Sequence, residues 1–210
     1  IKQIIGRLNT QNLPEKDERE AVETITELIE YYKGIFTILS SCAARQLEEV
    51  TFRRNTIPVQ ELFDAAGKYF RKVTKNRTEK VELIIEPMDA KVIGDVNQLR
   101  FLFENLIDEA LAVREEGVIR LQARKDNEYI RFLFTDTRRE KSVTELNQLF
   151  YPNLARMTSG EKGELRGTEY LICKQIIRDH DEFAGRRGCR INAEPAEGGG
   201  FTVYFTIPRR

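Results

Sequence analysis

The sequence contains no tryptophan, one histidine and only three cysteines. The cysteines are Cys42, Cys173 and Cys189, which are widely spaced and include no CxxC pair. Neither a disulfide framework nor a zinc site is therefore indicated. The scarcity of cysteine favours a reducing, cytoplasmic setting.

The sequence also lacks an excess of charge of either sign and lacks long apolar runs. Basic and acidic residues both number 34, so no global field attracts DNA or anionic lipid. The longest apolar runs, such as 83–85 and 170–173, are far shorter than the roughly 18 residues of a membrane-spanning helix. We therefore expect no nucleic acid partner and no membrane segment, whereas 40% hydrophobic and 32% charged residues fit a soluble globular protein.

Residues 1–54 are predicted to form a helical hairpin. The chain begins at Ile1 within an apolar helical pattern and without an initiator methionine, which we interpret as a piece of a longer protein. A short first helix is followed by a long one, in which apolar residues recur at helical spacing from Val22 to Leu47. Because the short helix is too small to bury this stripe, we expect a homodimeric four-helix bundle. The alternative is a hairpin packed on its own second domain.

The second predicted domain, 55–210, alternates irregularly between helical and strand patterns. Antiparallel strand pairs with helices on one face predict an α+β fold, an α/β two-layer sandwich with a mixed sheet. The predicted order is an extended connector at 55–58, a helix from 59 to 70, strands at 81–85 and 91–93, a helix capped by Asp95 and ending near Gly117, strands at 118–123 and 129–134, a polar irregular segment at 136–166, a helix at 170–177, and strands at 189–193 and 201–207.

This order of segments resembles that of the sensor histidine kinases of two-component systems. Such proteins combine a dimerisation hairpin with a Bergerat-type ATP-binding domain. The resemblance covers essentially the whole chain and is most specific at 92–100 with 105–110, at 167–180 and at 201–208. It implies a signalling portion of a kinase, ATP and Mg as cofactors, and a response regulator or other signalling protein as partner.

The first motif of the resemblance is an NLxxNA pattern, whose second asparagine helps to hold the magnesium ion of ATP in the family. Here the six residues run from Asn105 to Ala110. Asn105 matches the first asparagine, and Glu109 stands where the metal-holding amide would be. Because carboxylate oxygens bind magnesium, the resemblance implies a nucleotide site at Asn105 and a candidate metal ligand at Glu109. A solvated helix glutamate is the alternative.

Two glycine-rich boxes of the family are altered. The family's DxGxG reads Asp136-Thr-Arg-Arg-Glu140, so the resemblance implies that Asp136 accepts a hydrogen bond from adenine. Replacement of the two glycines removes backbone freedom and places side chains where a ligand should lie. In the second box, GxGLGL, Gly167 is kept and Glu169 replaces the last glycine. A carboxylate about 4 Å from a phosphate charge costs roughly 1 kcal/mol in water and about 4 kcal/mol at an effective dielectric constant near 20.

Basic residues near these boxes offer a compensation. Arg138, Arg139, Lys162 and Arg166 are candidates for pairing with phosphates, but flexible surface arginines in a lid are the commoner explanation.

The family's phosphoacceptor histidine belongs to the first hairpin helix, whereas the only histidine here is His180. The sequence thus leaves two functions open: a kinase fragment that transfers phosphate from ATP, or a pseudokinase that dimerises and binds partners without ATP turnover.

Overall fold

The computed structural model describes residues 52–151 and 168–210. The predicted hairpin and the second glycine box around Gly167 lie outside these residues. One compact unit comprises Val50–Pro152 and Glu169–Arg210. No helix within the described ranges is both long and apolar enough to cross a bilayer. The described elements are β1 (Asn55–Pro58), α1 (Val59–Thr74), β2 (Val81–Ile85), β3 (Lys91–Gly94), α2 (Val96–Leu111), β4 (Gly117–Asp126), β5 (Tyr129–Asp136), α3 (Val143–Gln148), α4 (Thr168–Phe183), β6 (Ile191–Pro195) and β7 (Phe201–Pro208).

A five-stranded mixed sheet forms one layer of the fold, in the order β2-β4-β5-β7-β6. Strands β2 and β4 are parallel, and the other neighbouring pairs are antiparallel. Along β5 every second residue is buried, from Ile130 to Asp136, so one face of the strand is covered. The predicted α+β fold with a mixed sheet is confirmed.

A second, two-stranded sheet joins β1 to β3. The sequence predicts β2 and β3 as two strands, and both exist, but they lie in different sheets. The segment predicted as a connector is extended and pairs antiparallel with β3, from Asn55 opposite Gly94 to Pro58 opposite Lys91. This partner for β3 is distant in the sequence, which is why local patterns do not identify it.

A cluster of phenylalanines holds the helices against the large sheet. Phe132 of β5 and Phe205 of β7 stack with ring centroids 4.9 Å apart. Phe103 of α2 contacts Phe132 at 5.8 Å, and Phe63 of α1 contacts Phe103 at 6.2 Å. All four side chains are at most 1% exposed. Since buried aromatic residues contribute much of a core's packing energy, this cluster fixes α2 above β5.

The two ends of α2 differ in how well the sequence predicts them. At its start Asp95 caps the helix as expected, because Oδ1 accepts hydrogen bonds from the backbone N of Asn97 at 2.9 Å and of Gln98 at 3.2 Å. At its end the prediction is wrong, since α2 stops at Leu111 rather than near Gly117, which instead begins β4. Residues 112–116 join α2 to β4, and β3 and α2 belong to the crossover between the parallel strands β2 and β4.

The described part of the segment predicted as irregular, residues 136–151, includes a helix, α3. Its start is a capping box: Ser142 Oγ accepts from Glu145 N at 3.3 Å, and Ser142 N donates to Glu145 Oε2 at 2.8 Å. Leu146 is buried and attaches the helix to the core. The helix has six residues, too few for apolar periodicity to reveal it.

His180 is a structural residue that joins α4 to the start of α2. Its ring is fully buried, Nδ1 lies 2.8 Å from Ile176 O, and Nε2 accepts a hydrogen bond from Asp95 N at 3.1 Å. Since Nε2 is an acceptor, the ring is neutral, with the proton on Nδ1.

We expect the free energy of unfolding to fall as the pH drops below about 6.5, the value at which a histidine titrates in an unfolded chain. Burial lowers the pKa of His180 in the folded protein. Between the two pKa values only the unfolded state binds the proton, so stability decreases by up to about 1.4 kcal/mol per pH unit. Urea unfolding from about pH 7.5 to about pH 5.5 measures this loss.

The matched control for this titration is His180→Gln, which keeps an acceptor for Asp95 N. As His180 is the only histidine, the variant should show a much flatter stability profile over the same range. An equal pH dependence in the variant and the wild type would assign the titration to another group.

Candidate functional site

The candidate site lies where β5 ends beneath the last turns of α2. Asp136 is the final residue of β5 and is 1% exposed, because the strand's alternation directs it to the same covered face as Phe132 and Phe134. A carboxylate in such an apolar layer is strongly disfavoured unless it is paired and hydrogen-bonded. The partners of Asp136 therefore define the site.

Arg138 forms a bidentate ion pair with Asp136. Its Nε donates to Asp136 Oδ1 at 2.8 Å, and its Nη2 donates to Oδ2 at 2.9 Å. The backbone N of Arg138 adds a third hydrogen bond to Oδ1, at 3.1 Å. The guanidinium also donates to Ala110 O at 2.7 Å and to Glu115 O at 3.2 Å, so it satisfies one carbonyl in the last turn of α2 and one in the connection to β4. Arg138 thus fastens the end of β5 to the end of α2.

Arg139 completes the ionic cluster. Its Nε donates to Asp136 Oδ2 at 3.2 Å, and its Nη1 lies 3.9 Å from Glu109 Oε1. Its Cζ lies 5.6 Å from the ring centroid of Phe201 at the start of β7. The two arginines face the two carboxylates of Asp136 and Glu109, so the cluster balances its own charge.

The prediction that Arg138 and Arg139 are flexible surface residues is wrong. Their side chains are 1% and 13% exposed. The two arginines are buried because they form ion pairs with the buried Asp136, which lies two residues before Arg138 and three before Arg139. The sequence signal that could have indicated this is the pair of arginines directly after a predicted strand that ends in aspartate.

The two predicted site residues on α2 are both buried. Glu109 is 6% exposed, so its interpretation as a solvated helix glutamate is wrong. Asn105 is also 6% exposed, and its Nδ2 donates to Phe101 O of the same helix at 2.7 Å. Glu109 therefore joins the Asp136 cluster, whereas the amide of Asn105 bonds to its own helix.

Tyr170 of α4 packs at the same cluster. Burial raises the pKa of its phenol, and the charge of Glu109 raises that pKa further while Arg139 opposes the rise. The ring is 3% exposed and contacts Phe150 edge-on at 5.7 Å. An aromatic side chain thus occupies the space between α4 and the arginine–carboxylate cluster.

Two acidic residues, Asp108 of α2 and Glu169 at the start of α4, interact electrostatically. Both carboxylate oxygens of Asp108 lie 2.9 Å from Tyr69 Oη, which donates the hydrogen bond. Burial raises the pKa of Asp108, and the charge of Glu169 raises it further. These two carboxylates therefore interact, and the sequence pattern did not single out Asp108. No group of three metal-ligating side chains occurs within residues 52–151 and 168–210.

The Asp136 carboxylate has no free acceptor position in this arrangement. A carboxylate offers about four lone-pair sites, two on each oxygen. Oδ1 accepts from Arg138 N and Nε, and Oδ2 accepts from Arg138 Nη2 and Arg139 Nε. An adenine amine would have to displace one of these hydrogen bonds, so the residues present do not fit ATP as they stand.

The chain is similar to known proteins in sequence and in fold. The family described as histidine kinase-, DNA gyrase B-, and HSP90-like ATPase matches residues 94–210. The catalytic domain of histidine kinase ThkA is 19% identical, covers 75% of this chain and 97% of its own, and has a TM-score of 0.58. Histidine kinase AdeS of Acinetobacter baumannii is 13% identical over 99% of this chain and 93% of its own, with a TM-score of 0.57.

A longer solved form of ThkA extends the comparison. It was determined in complex with the response regulator protein TrrA, is 17% identical over 99% of this chain and 57% of its own, and has a TM-score of 0.67. At these identities the solved structures show a shared fold. No curated protein sequence matches the chain.

Proposed function

Because the chain belongs to the family of histidine kinase-, DNA gyrase B-, and HSP90-like ATPases, we propose that it is the signalling portion of a sensor histidine kinase-like protein that acts as a pseudokinase. In this role it binds partner proteins without ATP turnover. The observation that carries the proposal is the full engagement of Asp136 by Arg138 and Arg139.

The free energies of the two interactions favour the internal ion pair over a hydrogen bond to adenine. Breaking a buried pair by removing one partner costs about 3 to 5 kcal/mol, whereas a typical new hydrogen bond returns about 0.5 to 1.5 kcal/mol. If adenine displaced a hydrogen bond of Arg138, this guanidinium, 1% exposed, would be left with an incomplete ion pair unless the arginine also moved out to solvent. Such a movement would break its hydrogen bonds to Ala110 O and Glu115 O as well.

The electrostatics of the site also support the proposal. Arg138 and Arg139 are already neutralised by Asp136 and Glu109, so they offer little net positive charge to a triphosphate. Asp108 and Glu169 add negative charge nearby, and like charges about 4 Å apart repel by roughly 4 kcal/mol at an effective dielectric constant near 20.

An active kinase fragment is the second candidate function. The retained Asp136 and the buried carboxylate of Glu109, whose oxygens suit Mg, favour it. Its chemistry would consist of positioning ATP and transferring a phosphoryl group to a histidine outside this sequence and then to a response regulator. We propose a response regulator or other signalling protein as partner under both functions, and a homodimer through the hairpin at 1–54.

Melting experiments with Mg-ATP separate the two functions. A ligand at 100 times its dissociation constant stabilises a protein by about 2.7 kcal/mol, which for a chain of this size raises the melting temperature by about 5 to 10 °C. We expect wild type to shift by less than about 1 °C in about 5 mM Mg-ATP. The measurement is a thermal melt followed by circular dichroism, with Mg and ATP each added alone as references.

Asp136→Asn provides the matched control, since it retains the shape of the side chain but loses the charge. A clear shift in wild type that disappears in folded Asp136→Asn would show that Asp136 still binds ATP, which would refute the premise of the pseudokinase proposal and favour the active kinase. Restoring the family pattern with Arg138→Gly and Glu140→Gly should create a shift that wild type lacks.

A further inference from the structure

Six exposed arginines lie on segments that meet at one end of the domain: the residue before β1, the loop after α4 and the residue pair after β7. Arg186 forms an ion pair with Glu128, and the backbone N of Arg209 donates to the carbonyl of the same Glu128 at 2.8 Å. The backbone N of Arg190 donates to Thr206 Oγ1 at 3.0 Å, next to the end of β7. We define the arginine patch as Arg54, Arg186, Arg187, Arg190, Arg209 and Arg210.

The loop that carries most of this patch is held by specific contacts. Gly185 has a φ of +89°, and a Cβ there would lie 2.7 Å from the guanidinium carbon of Arg54. Arg54 therefore lies directly on the bare backbone of Gly185. Asp181 accepts hydrogen bonds from the backbone N of Gly188 at 2.5 Å and of Cys189 at 2.9 Å, and Tyr129 Oη donates to the carbonyl of Arg187. Like charges are thus brought together by a fixed backbone.

The patch carries a strong excess of positive charge. Glu128 pairs with Arg186, and Asp181 lies 3.3 Å from Arg187. Among residues 52–151 and 168–210, no carboxylate forms an ion pair with the other four arginines of the patch. With the exposed Glu182 beside Phe183 also counted, six positive charges against three negative charges leave an excess of three, in a chain whose basic and acidic residues are equal at 34 each.

An apolar surface adjoins the arginines. Phe183, at the end of α4, is 46% exposed and lies two residues before Gly185. Its ring centroid is 5.8 Å from that of Phe52, which lies two residues before Arg54. The same end of the domain thus offers cations and an aromatic contact side by side, a combination that is enriched at protein–protein interfaces.

We propose that the arginine patch is a docking surface for a short acidic segment of a partner protein. Arginine presents a planar fork of donors that matches a carboxylate, and Arg186 and Arg187 each already donate to a carboxylate through Nη1. The exposed Phe183 favours a segment in which acidic residues alternate with apolar ones. Since the chain as a whole has no net charge, a short segment that contacts only this patch is favoured over an extended polyanion. The docking surface is separate from the Asp136 cluster and functions whether or not nucleotide binds.

Fluorescence anisotropy with a labelled peptide tests this docking surface. The probe is a peptide of about eight residues, mainly glutamate with two phenylalanines. Wild type should bind it, and binding should weaken as salt rises from about 50 mM to about 300 mM, since exposed charges are screened. Arg186→Glu combined with Arg187→Glu should weaken binding by about tenfold or more, and Arg209→Glu combined with Arg210→Glu should do likewise.

A second charge reversal controls for net charge. Lys72 and Lys75 are exposed at the end of α1, outside the patch, so Lys72→Glu with Lys75→Glu should bind the peptide within about twofold of wild type. Equal binding by wild type and the folded Arg186/Arg187 variant would overturn the proposal. Tighter binding of a single-stranded oligothymidylate, or of phosphatidylserine-containing vesicles, than of the peptide would overturn the assignment to an acidic protein segment.

Discussion

Replacing Arg138 with alanine should lower the free energy of unfolding by about 3 to 5 kcal/mol, because Asp136 would stay buried without its principal partner. Both side chains are only 1% exposed, so solvent cannot take over the lost hydrogen bonds. The carbonyls of Ala110 and Glu115 would lose a donor as well. Urea unfolding in buffer without nucleotide measures the change.

Two further variants identify the source of this loss. Arg100 and Glu61 form an exposed ion pair at 2.7 Å, so Arg100→Ala should cost less than about 1 kcal/mol. Adding Asp136→Ala to Arg138→Ala removes the unpaired charge, and the double variant should therefore lose less than the sum of the two single variants. If Arg138→Ala costs no more than Arg100→Ala, the ion pair does not hold the site together.

Gly200→Ala should destabilise the protein by about 3 kcal/mol or more, through backbone strain combined with overpacking. Gly200 has a φ of +81°, and a Cβ there would lie 2.1 Å from the carbonyl oxygen of Asp136 and 2.7 Å from the Cα of Thr137. These atoms belong to the backbone, which cannot rotate away as a side chain can. The start of β7 or the end of β5 would have to move, and with it the ionic cluster at Asp136.

Gly198 is the matched control for Gly200. It has a φ of +90° but nothing within 4 Å of a Cβ, so Gly198→Ala measures the conformational cost alone, about 1 to 2 kcal/mol. Thermal and urea unfolding of both variants give the difference, which we attribute to close approach of the two strands. Equal losses in the two variants would show that the contact with Asp136 contributes nothing.

The parts of the fold that the sequence predicts best are those with one covered face. Apolar residues recur at the helical period in α2 and at every second position in β5, and both periods follow directly from the geometry of the element. The N-terminal cap at Asp95 is equally local, since its side chain accepts hydrogen bonds from the residues two and three positions further along the chain. Such signals lie within one element and need no knowledge of the tertiary structure.

The candidate site is predicted less well because its residues are defined by pairing across elements. Asp136 and Glu109 are recognisable by their place in motifs, but the burial of Arg138 depends on the distance between the end of β5 and the end of α2. Polar composition therefore suggested a solvated lid at a point where the chain forms a buried ionic cluster. The pairing of β1 with β3 was missed for the same reason.

The position of β7 governs when the domain can fold during synthesis. This strand is the last to be translated among the described elements, yet it lies inside the sheet, between β5 and β6, and pairs with β5 from Tyr129 opposite Pro208 to Asp136 opposite Phe201. Until it leaves the ribosome, β5 has an open edge and β6 has no neighbour in the sheet. The sheet of this domain can consequently be completed only after β7 has been synthesised, and the nascent chain needs protection from aggregation until then.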